Sequence, residues 1–203
     1  MMESGESVQP LPEIVSEYKE LLEGGKWAVK DAAGLSTVEL SKPLEGGQTL
    51  LVRFDVRNVV EGVEEPFEDQ EFEDTTAEEK DMEDMDFDQE HVFPLEVEVK
   101  AKDGKKLLLD LEVNAGASED SVMVTNAVIV DPAVPVDNNS GVFSYGGPQY
   151  EQLDDGLREA MDAYANRLVT PDLVQFISDY AFSKESTQYG AWLENVKHVI
   201  KSD

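Results

Sequence analysis

The chain has 203 residues, enough for one sizeable core or at most two small domains, and 40% of them are hydrophobic, as in ordinary globular proteins. Its 45 acidic and 16 basic side chains give a formal charge of −29. Such a surface repels phosphate and anionic lipid headgroups, which disfavours direct binding of nucleic acid, and it attracts cationic proteins and metal ions. Cysteine is absent, which excludes disulfides and thiolate zinc sites, and two histidines are too few for a histidine-rich metal site.

The N-terminal part predicts a helix and then short strands. Apolar residues recur at helical spacing over residues 11–22, and Gly24-Gly25 ends this helix. Strands are predicted at residues 27–30, 38–41 and 49–58. No apolar run approaches the roughly 18 residues that span a bilayer. Residues 1–6 are acidic, unlike an arginine-rich transit peptide, so we expect a cytosolic protein or one whose targeting segment has been removed.

Residues 61–90 interrupt this pattern with 16 acidic side chains and one basic one, Lys80, and so carry −15 of the formal charge. Self-repulsion and sparse apolar content predict a disordered acidic loop. We expect this loop to be the main electrostatic contact for basic partners. The carboxylates assigned to that contact are Glu64, Glu65, Glu68, Asp69, Glu71, Glu73, Asp74, Glu78, Glu79, Asp81, Glu83, Asp84, Asp86, Asp88 and Glu90.

Regular structure resumes after the acidic loop. Two alternating runs, residues 93–99 and 107–113, flank Asp103-Gly104, which is a strong hairpin pattern. Further strands are predicted at residues 121–130 and near residues 142–145. The C-terminal third changes to helical spacing, with Thr170-Pro171 starting a new helix and an apolar stripe over residues 189–200, so two or three helices are predicted there. The order predicts one α+β domain over residues 1–203, with an N-terminal helix and about seven antiparallel strands.

The search for catalytic or metal chemistry favours no enzyme. The run from Asp84 to Glu90 has the alternating carboxylates of a calcium-binding EF-hand loop, but Gln89 replaces the turn glycine and Leu95 the closing glutamate. His91 and His198 have no neighbouring nucleophile pattern. Asp154-Asp155 is more simply explained as a helix start, where carboxylates complement the helix dipole. The glycine pairs lack the spacing of a phosphate-binding loop, and no cofactor is predicted.

Aromatic and apolar residues on the helical stripes are predicted to lie in the core or at a subunit interface rather than in a ligand cage, because such side chains dominate burial in both settings. The apolar faces of the terminal helices exceed what one small sheet must cover, so a subunit interface is expected, and a closed ring is one assembly that covers such faces. The residues assigned to core or interface are Tyr18, Leu22, Trp27, Phe176, Tyr180, Tyr189, Trp192, Leu193 and Val196.

Several segments together resemble the mitochondrial acidic matrix protein family, also called the mitochondrial glycoprotein family. The resemblance covers nearly the whole chain and rests on the order of the segments along the chain and on its acidic charge. The C-terminal part contributes Tyr145-Gly146-Gly147-Pro148, Leu153-Asp154-Asp155-Gly156-Leu157, Lys184-Glu185, Tyr189, Trp192-Leu193 and Val196. The rest contributes Gly24-Gly25-Lys26-Trp27, the acidic insertion and the hairpin over residues 95–113.

The resemblance implies a highly twisted, seven-stranded antiparallel sheet with terminal helices, assembled as a ring-shaped homotrimer with one very acidic face. It also implies a mitochondrial matrix protein with a cleaved presequence that binds many partners. The resulting hypothesis is a non-enzymatic adaptor that docks basic RNA-binding or ribosomal proteins and supports mitochondrial RNA processing, translation or oxidative phosphorylation. The alternative is a low-affinity calcium buffer of the matrix.

Overall fold

The computed structural model describes residues 12–61, 91–116, 121–134 and 145–201. Within these ranges the chain forms five α-helices and six β-strands. The helices are α1 (Pro12–Glu17), α2 (Lys19–Gly24), α3 (Val56–Glu61), α4 (Asp155–Leu168) and α5 (Pro171–Ile200). The strands are β1 (Ala28–Asp31), β2 (Thr37–Pro43), β3 (Thr49–Asp55), β4 (Val92–Lys100), β5 (Lys106–Asn114) and β6 (Val122–Val130). The predicted α+β class is confirmed.

The six strands form one antiparallel sheet in which each strand pairs with its sequence neighbours, in the order β1 to β6. The hairpin predicted around Asp103-Gly104 is confirmed: it joins β4 to β5, with Gly104 at a positive φ of 91°. The sequence predicted about seven strands, and the described ranges contain six. The strand predicted near residues 142–145 lies outside them except for Tyr145, which is not in a strand.

One face of the sheet is buried against the helices. Alternate side chains of the long strands, such as Val52 and Phe54 in β3 and Val97 in β4, are at most 2% exposed. The first half of α5 lies over them and contributes Phe176 and Tyr180, which are fully buried. Because burying each large apolar side chain contributes about 1.5–3 kcal/mol, this layer is the main source of stability. The remaining side chains of each strand face away from it.

The N-terminal helix predicted over residues 11–22 is not continuous. It is divided into α1 and α2 at Tyr18, which leaves helical geometry at φ −91° and ψ 22°. The Tyr18 hydroxyl donates a hydrogen bond to Asp179 of α5, and its ring meets Phe176 edge-on with centroids 5.3 Å apart. Helical hydrogen bonds still run across the division, from the Tyr18 N–H to the Ile14 carbonyl at 3.1 Å and from the Leu22 N–H to the Tyr18 carbonyl at 3.0 Å, so the break is a local distortion at the residue that contacts α5. The glycine stop is confirmed, since α2 ends at Gly24.

The strand predicted over residues 49–58 is too long. Strand β3 ends at Asp55, whose Oδ1 accepts a hydrogen bond from the backbone N–H of Arg57 at 3.0 Å, as an N-cap does. Helix α3 follows immediately and buries Val56 and Val59. The alternation of apolar residues continues past Asp55 only because the first turn of α3 also turns Val56 toward the core.

Helix α4 protects the outer edge of β6. The side chain of Asn166 bonds both backbone groups of Val122, receiving the N–H at 3.2 Å and donating to the carbonyl at 2.8 Å. Asp162, one turn earlier, accepts the N–H of Val124 at 2.9 Å. Unpaired edge groups invite pairing with other chains, so these two side chains act in place of a neighbouring strand.

The two C-terminal helices begin where the sequence predicted. Asp154 caps α4 by accepting the N–H of Gly156 at 3.0 Å, and Pro171 is the first residue of α5. The stripe over residues 189–200 does not form a third helix, because α5 continues for 30 residues, about 45 Å. No helix in the described ranges combines the length and apolar character needed to cross a membrane.

Candidate functional site

The carboxylates that the sequence assigned to partner binding, in residues 64–90, lie outside the described residues. The structure therefore neither gathers nor separates them. The same holds for the calcium-like run from Asp84 to Glu90. Among the residues that are described, no group of three His, Asp or Glu side chains is placed to hold a metal ion. The described chain presents two candidate binding surfaces, one charged and one apolar.

The outward face of the sheet carries one row of polar side chains that crosses all six strands. These residues stand directly opposite one another from strand to strand, and each belongs to the outward set of its strand. We call this row the polar ladder. Its members are Lys30, Glu39, Arg53, Glu96, Asp110 and Asn126.

The first half of the polar ladder is internally paired. Lys30 Nζ lies 2.8 Å from Glu39 Oε2, and the Arg53 guanidinium lies 3.0 Å from both Glu39 Oε1 and Glu96 Oε2. The hydrogen bonds from Lys30 and Arg53 lower the pKa of Glu39, and bonding to Glu39 and Glu96 raises the pKa of Arg53. One arginine thus bridges carboxylates on the two strands beside its own.

The second half of the polar ladder is acidic. Glu96 on β4 faces Asp110 on β5, and the partner of Asp110 is a neutral amide, since Asn126 Nδ2 donates to its Oδ2 at 3.0 Å. Glu112 follows two residues later on the same face of β5. No cation in the described part of the chain forms an ion pair with Asp110 or Glu112. We call Glu96, Asp110 and Glu112 the acidic step.

Two adjoining clefts lie over the acidic step. The larger has a volume of about 510 Å³ and its lining includes all three carboxylates. The smaller, about 290 Å³, shares Glu96 and Asp110 and adds the apolar side chains of Leu51 and Leu108. Carboxylates beside half-buried leucines suit a ligand with a cationic head and an aliphatic stem.

A second surface is the C-terminal half of α5. Beyond Gln188, whose amide donates to the Leu35 carbonyl at 2.9 Å, every residue of the helix is exposed except the half-buried Val196. We call residues 189–200 the projecting arm; it is about 18 Å long. Tyr189 and Trp192, each 56% exposed, stack with centroids 6.0 Å apart. With Leu193, Val196, Val199 and Ile200 they form one apolar stripe at spacings of three and four.

The other residues predicted for core or interface lie inside the molecule. Leu22, Phe176 and Tyr180 are buried, and Tyr18 and Trp27 are half-buried against them. Burial and the bond to Asp179 raise the pKa of Tyr18. Lys42 Nζ lies 4.3 Å from the centroid of the Trp27 ring, a cation–π contact, and burial lowers the pKa of that lysine.

Sequence reasoning did not find the buried ion pair between Asp31 at the end of β1 and Lys184 of α5. The two side chains are 8% and 5% exposed and bonded to each other. The Tyr180 hydroxyl donates to the second carboxylate oxygen at 2.7 Å. This pair fixes α5 on the sheet at Lys184, the last buried residue of the helix. Its 153-residue separation left no local pattern to detect.

His91 has a structural environment. It is 4% exposed, its Nε2 lies 2.5 Å from the carbonyl oxygen of Val59, and its ring packs against Phe93 and Phe182. Since a carbonyl only accepts, Nε2 carries the proton. The residue joins α3 to the start of β4, where the chain returns to the sheet.

Comparison with known proteins identifies the family. A family model described as MAM33, mitochondrial glycoprotein, matches residues 3–200. The chain belongs to the mitochondrial glycoprotein family. The resemblance inferred from the sequence is thereby confirmed over nearly its whole length. Membership indicates a mitochondrial protein and agrees with a binding role.

The fold of this mitochondrial glycoprotein family member is also seen in a solved structure. That protein is a hypothetical protein from Leishmania major of unknown function, described as a sequence homologue of the human p32 protein. The match has a TM-score of 0.53 and 22% identity, and it covers 96% of this chain and 87% of the other. At this identity the likeness shows the fold: an antiparallel sheet with helices, as in p32.

Proposed function

We propose that this protein is a non-enzymatic, acidic adaptor of the mitochondrial matrix that docks basic proteins. RNA-binding and ribosomal proteins are the partner class that fits, which would connect it to mitochondrial RNA processing, translation or oxidative phosphorylation. The observation that carries the proposal is the formal charge of −29 on 203 residues. The family membership and the acidic step on the open sheet face support it.

We propose further that the working form is a homotrimeric ring joined through the projecting arm. An apolar stripe at spacings of three and four on an exposed helix is typical of a helix–helix seam, and a closed ring covers such stripes on every subunit. Three copies carry a formal charge of −87, so assembly brings like charges together at a cost that salt or basic partners reduce.

Assembly is tested by light scattering on the Leu193→Asp variant. The matched control is Leu157→Asp, on the exposed face of α4, since the two leucines are 37% and 45% exposed. We expect a trimer mass for the native chain and the control, and a monomer mass for Leu193→Asp. Trimers in all three samples would remove the projecting arm from the interface.

Docking is tested by replacing the acids of residues 64–90 with their amides, which keeps the loop length. At low salt, we expect the amide variant to bind a basic ribosomal protein more weakly than the native chain does. The native complex should dissociate as salt rises, because exposed charges are screened beyond about 8 Å at physiological ionic strength. Thermal unfolding serves as the control for folding. A native protein that captures no basic partner at any salt concentration would refute the adaptor function.

A further inference from the structure

The open face of the sheet contains an unbalanced charge pattern that internal contacts do not resolve. Along the polar ladder the signs alternate from Lys30 through Glu39 and Arg53 to Glu96, and then a second carboxylate, Asp110, stands where a cation would continue the series. Like charges directly opposite each other on neighbouring strands are destabilising. The repulsion between Glu96 and Asp110 therefore destabilises the sheet locally.

The nearby cations of the described chain are already paired with other carboxylates than Asp110 and Glu112. Both Nη atoms of Arg53 are used, on Glu39 and Glu96. Lys106, on the same strand as Asp110, pairs with Glu98 at 2.9 Å. Arg53 also lines both clefts, but both of its Nη atoms are used, so Asp110 and Glu112 have no ion-pair partner in the described chain.

Two clefts adjoin these unpaired carboxylates. Leu51 and Leu108 line the cleft that also contains Glu96 and Asp110, and Glu112 lines the adjoining one. A long cationic side chain can place its aliphatic stem on the leucines and its charged head among the carboxylates. Arg53 provides an internal example, because its guanidinium bridges carboxylates of two neighbouring strands on this same face.

We propose that the acidic step and its clefts form a docking surface for an arginine-bearing segment of a basic protein, whose guanidinium supplies the cation that Asp110 and Glu112 lack. Arginine fits better than lysine, since its planar fork bonds two carboxylates at once while an ammonium acts as a point charge. The inference rests on the proposed adaptor function and specifies where on the folded domain a partner is held.

The test compares two variants of equal charge. Asp110→Asn/Glu112→Gln neutralises the two carboxylates of the acidic step that have no ion-pair partner, without changing side-chain size, and Glu20→Gln/Glu159→Gln removes the same charge from exposed positions on α2 and α4. The probes are an arginine-rich peptide and a lysine-rich peptide of equal length and charge, with Kd measured by fluorescence anisotropy at physiological salt. Thermal unfolding of each variant without peptide is measured in parallel.

For the arginine peptide we expect about tenfold weaker binding to the Asp110→Asn/Glu112→Gln variant and less than a twofold change in the control. The native chain should prefer arginine to lysine. Removing the repulsion between Glu96 and Asp110 should leave the thermal midpoint unchanged or raise it.

The outcomes separate this inference from the adaptor function. Equal weakening in both variants would mean that net charge alone holds the peptide, which overturns the docking surface and leaves the adaptor function standing. Equal affinity of the native chain for the two peptides would overturn the arginine assignment. A native chain that binds neither peptide and no basic protein would overturn the adaptor function itself.

Discussion

The buried pair of Asp31 and Lys184 allows a quantitative test of how α5 is held on the sheet. Lys184→Met retains the aliphatic stem and removes the ammonium, which leaves the carboxylate, 8% exposed, with the Tyr180 hydroxyl at 2.7 Å. Removing one partner of a buried pair strands the other charge away from water. The expected loss in the free energy of unfolding is about 3–5 kcal/mol.

A second variant separates the stranded charge from lost packing. Asp31→Leu/Lys184→Met removes both charges, and replacing a buried pair with apolar groups is often close to neutral. The Tyr180 hydroxyl then loses its bond to Asp31, at a cost of roughly 1–3 kcal/mol. The double variant should therefore be about 2 kcal/mol more stable than Lys184→Met alone.

The measurement is urea unfolding followed by tryptophan fluorescence and far-ultraviolet circular dichroism, with linear extrapolation to water. Protein concentration is held constant, because the stability of an oligomer depends on it. A loss below about 1 kcal/mol for Lys184→Met would show that the pair is solvated and does not anchor α5. A double variant as unstable as the single one would assign the loss to packing instead of charge.

Two further changes follow from local geometry. In Gly25→Ala the added Cβ would lie 2.6 Å from Trp27 Cδ1, so we expect a loss of about 1–3 kcal/mol in urea unfolding, whereas Gly24→Ala, with nothing within 4 Å, should be near neutral. The Arg57 side chain, first among several hydrogen-bond donors, lowers the pKa of Asp55 to about 2. Because this folded-state pKa lies below the unfolded value near 4, the stabilisation is present above pH 4 and lost as pH falls toward 2. Asp55→Asn should therefore be less stable than the native chain at pH 6, the difference should shrink to a small part of that value near pH 2, and a difference independent of pH would contradict the assignment.

Local patterns in the sequence predicted the elements whose structure depends on neighbours in the chain. The hairpin of β4 and β5 followed from strict alternation around Asp103-Gly104, and the starts of α4 and α5 followed from Asp154 and Pro171. The end of β3 was misplaced because Val56 suits either a strand or the first turn of a helix, and the cap formed by Asp55 decides between them.

The features of the site depend on residues far apart in sequence. Arg53 reaches Glu39 across 14 residues and Glu96 across 43, so the polar ladder exists only once the register of three strands is known. Strand parity could have identified each member as outward-facing, but a shift of one residue in register reverses that assignment. The acidic run of residues 61–90 is easy to recognise in the sequence because its charges are contiguous. The carboxylates of the acidic step are divided between β4 and β5, so the sequence does not show them as a group.

The carboxylates of residues 61–90 and those on the sheet are expected to have different roles in binding a partner. At physiological salt, exposed charges act over about 8 Å, so most of the formal charge of −29 acts mainly by speeding the approach of a basic protein, and only the charges in contact with the partner help to hold it. Retention requires contacts in which charge, hydrogen bonds and apolar surface combine. The acidic step beside Leu51 and Leu108 is such a place. We therefore expect amide substitutions in residues 64–90 to lower the association rate and substitutions at Asp110 and Glu112 to raise the dissociation rate, which stopped-flow measurements on the same partner would separate.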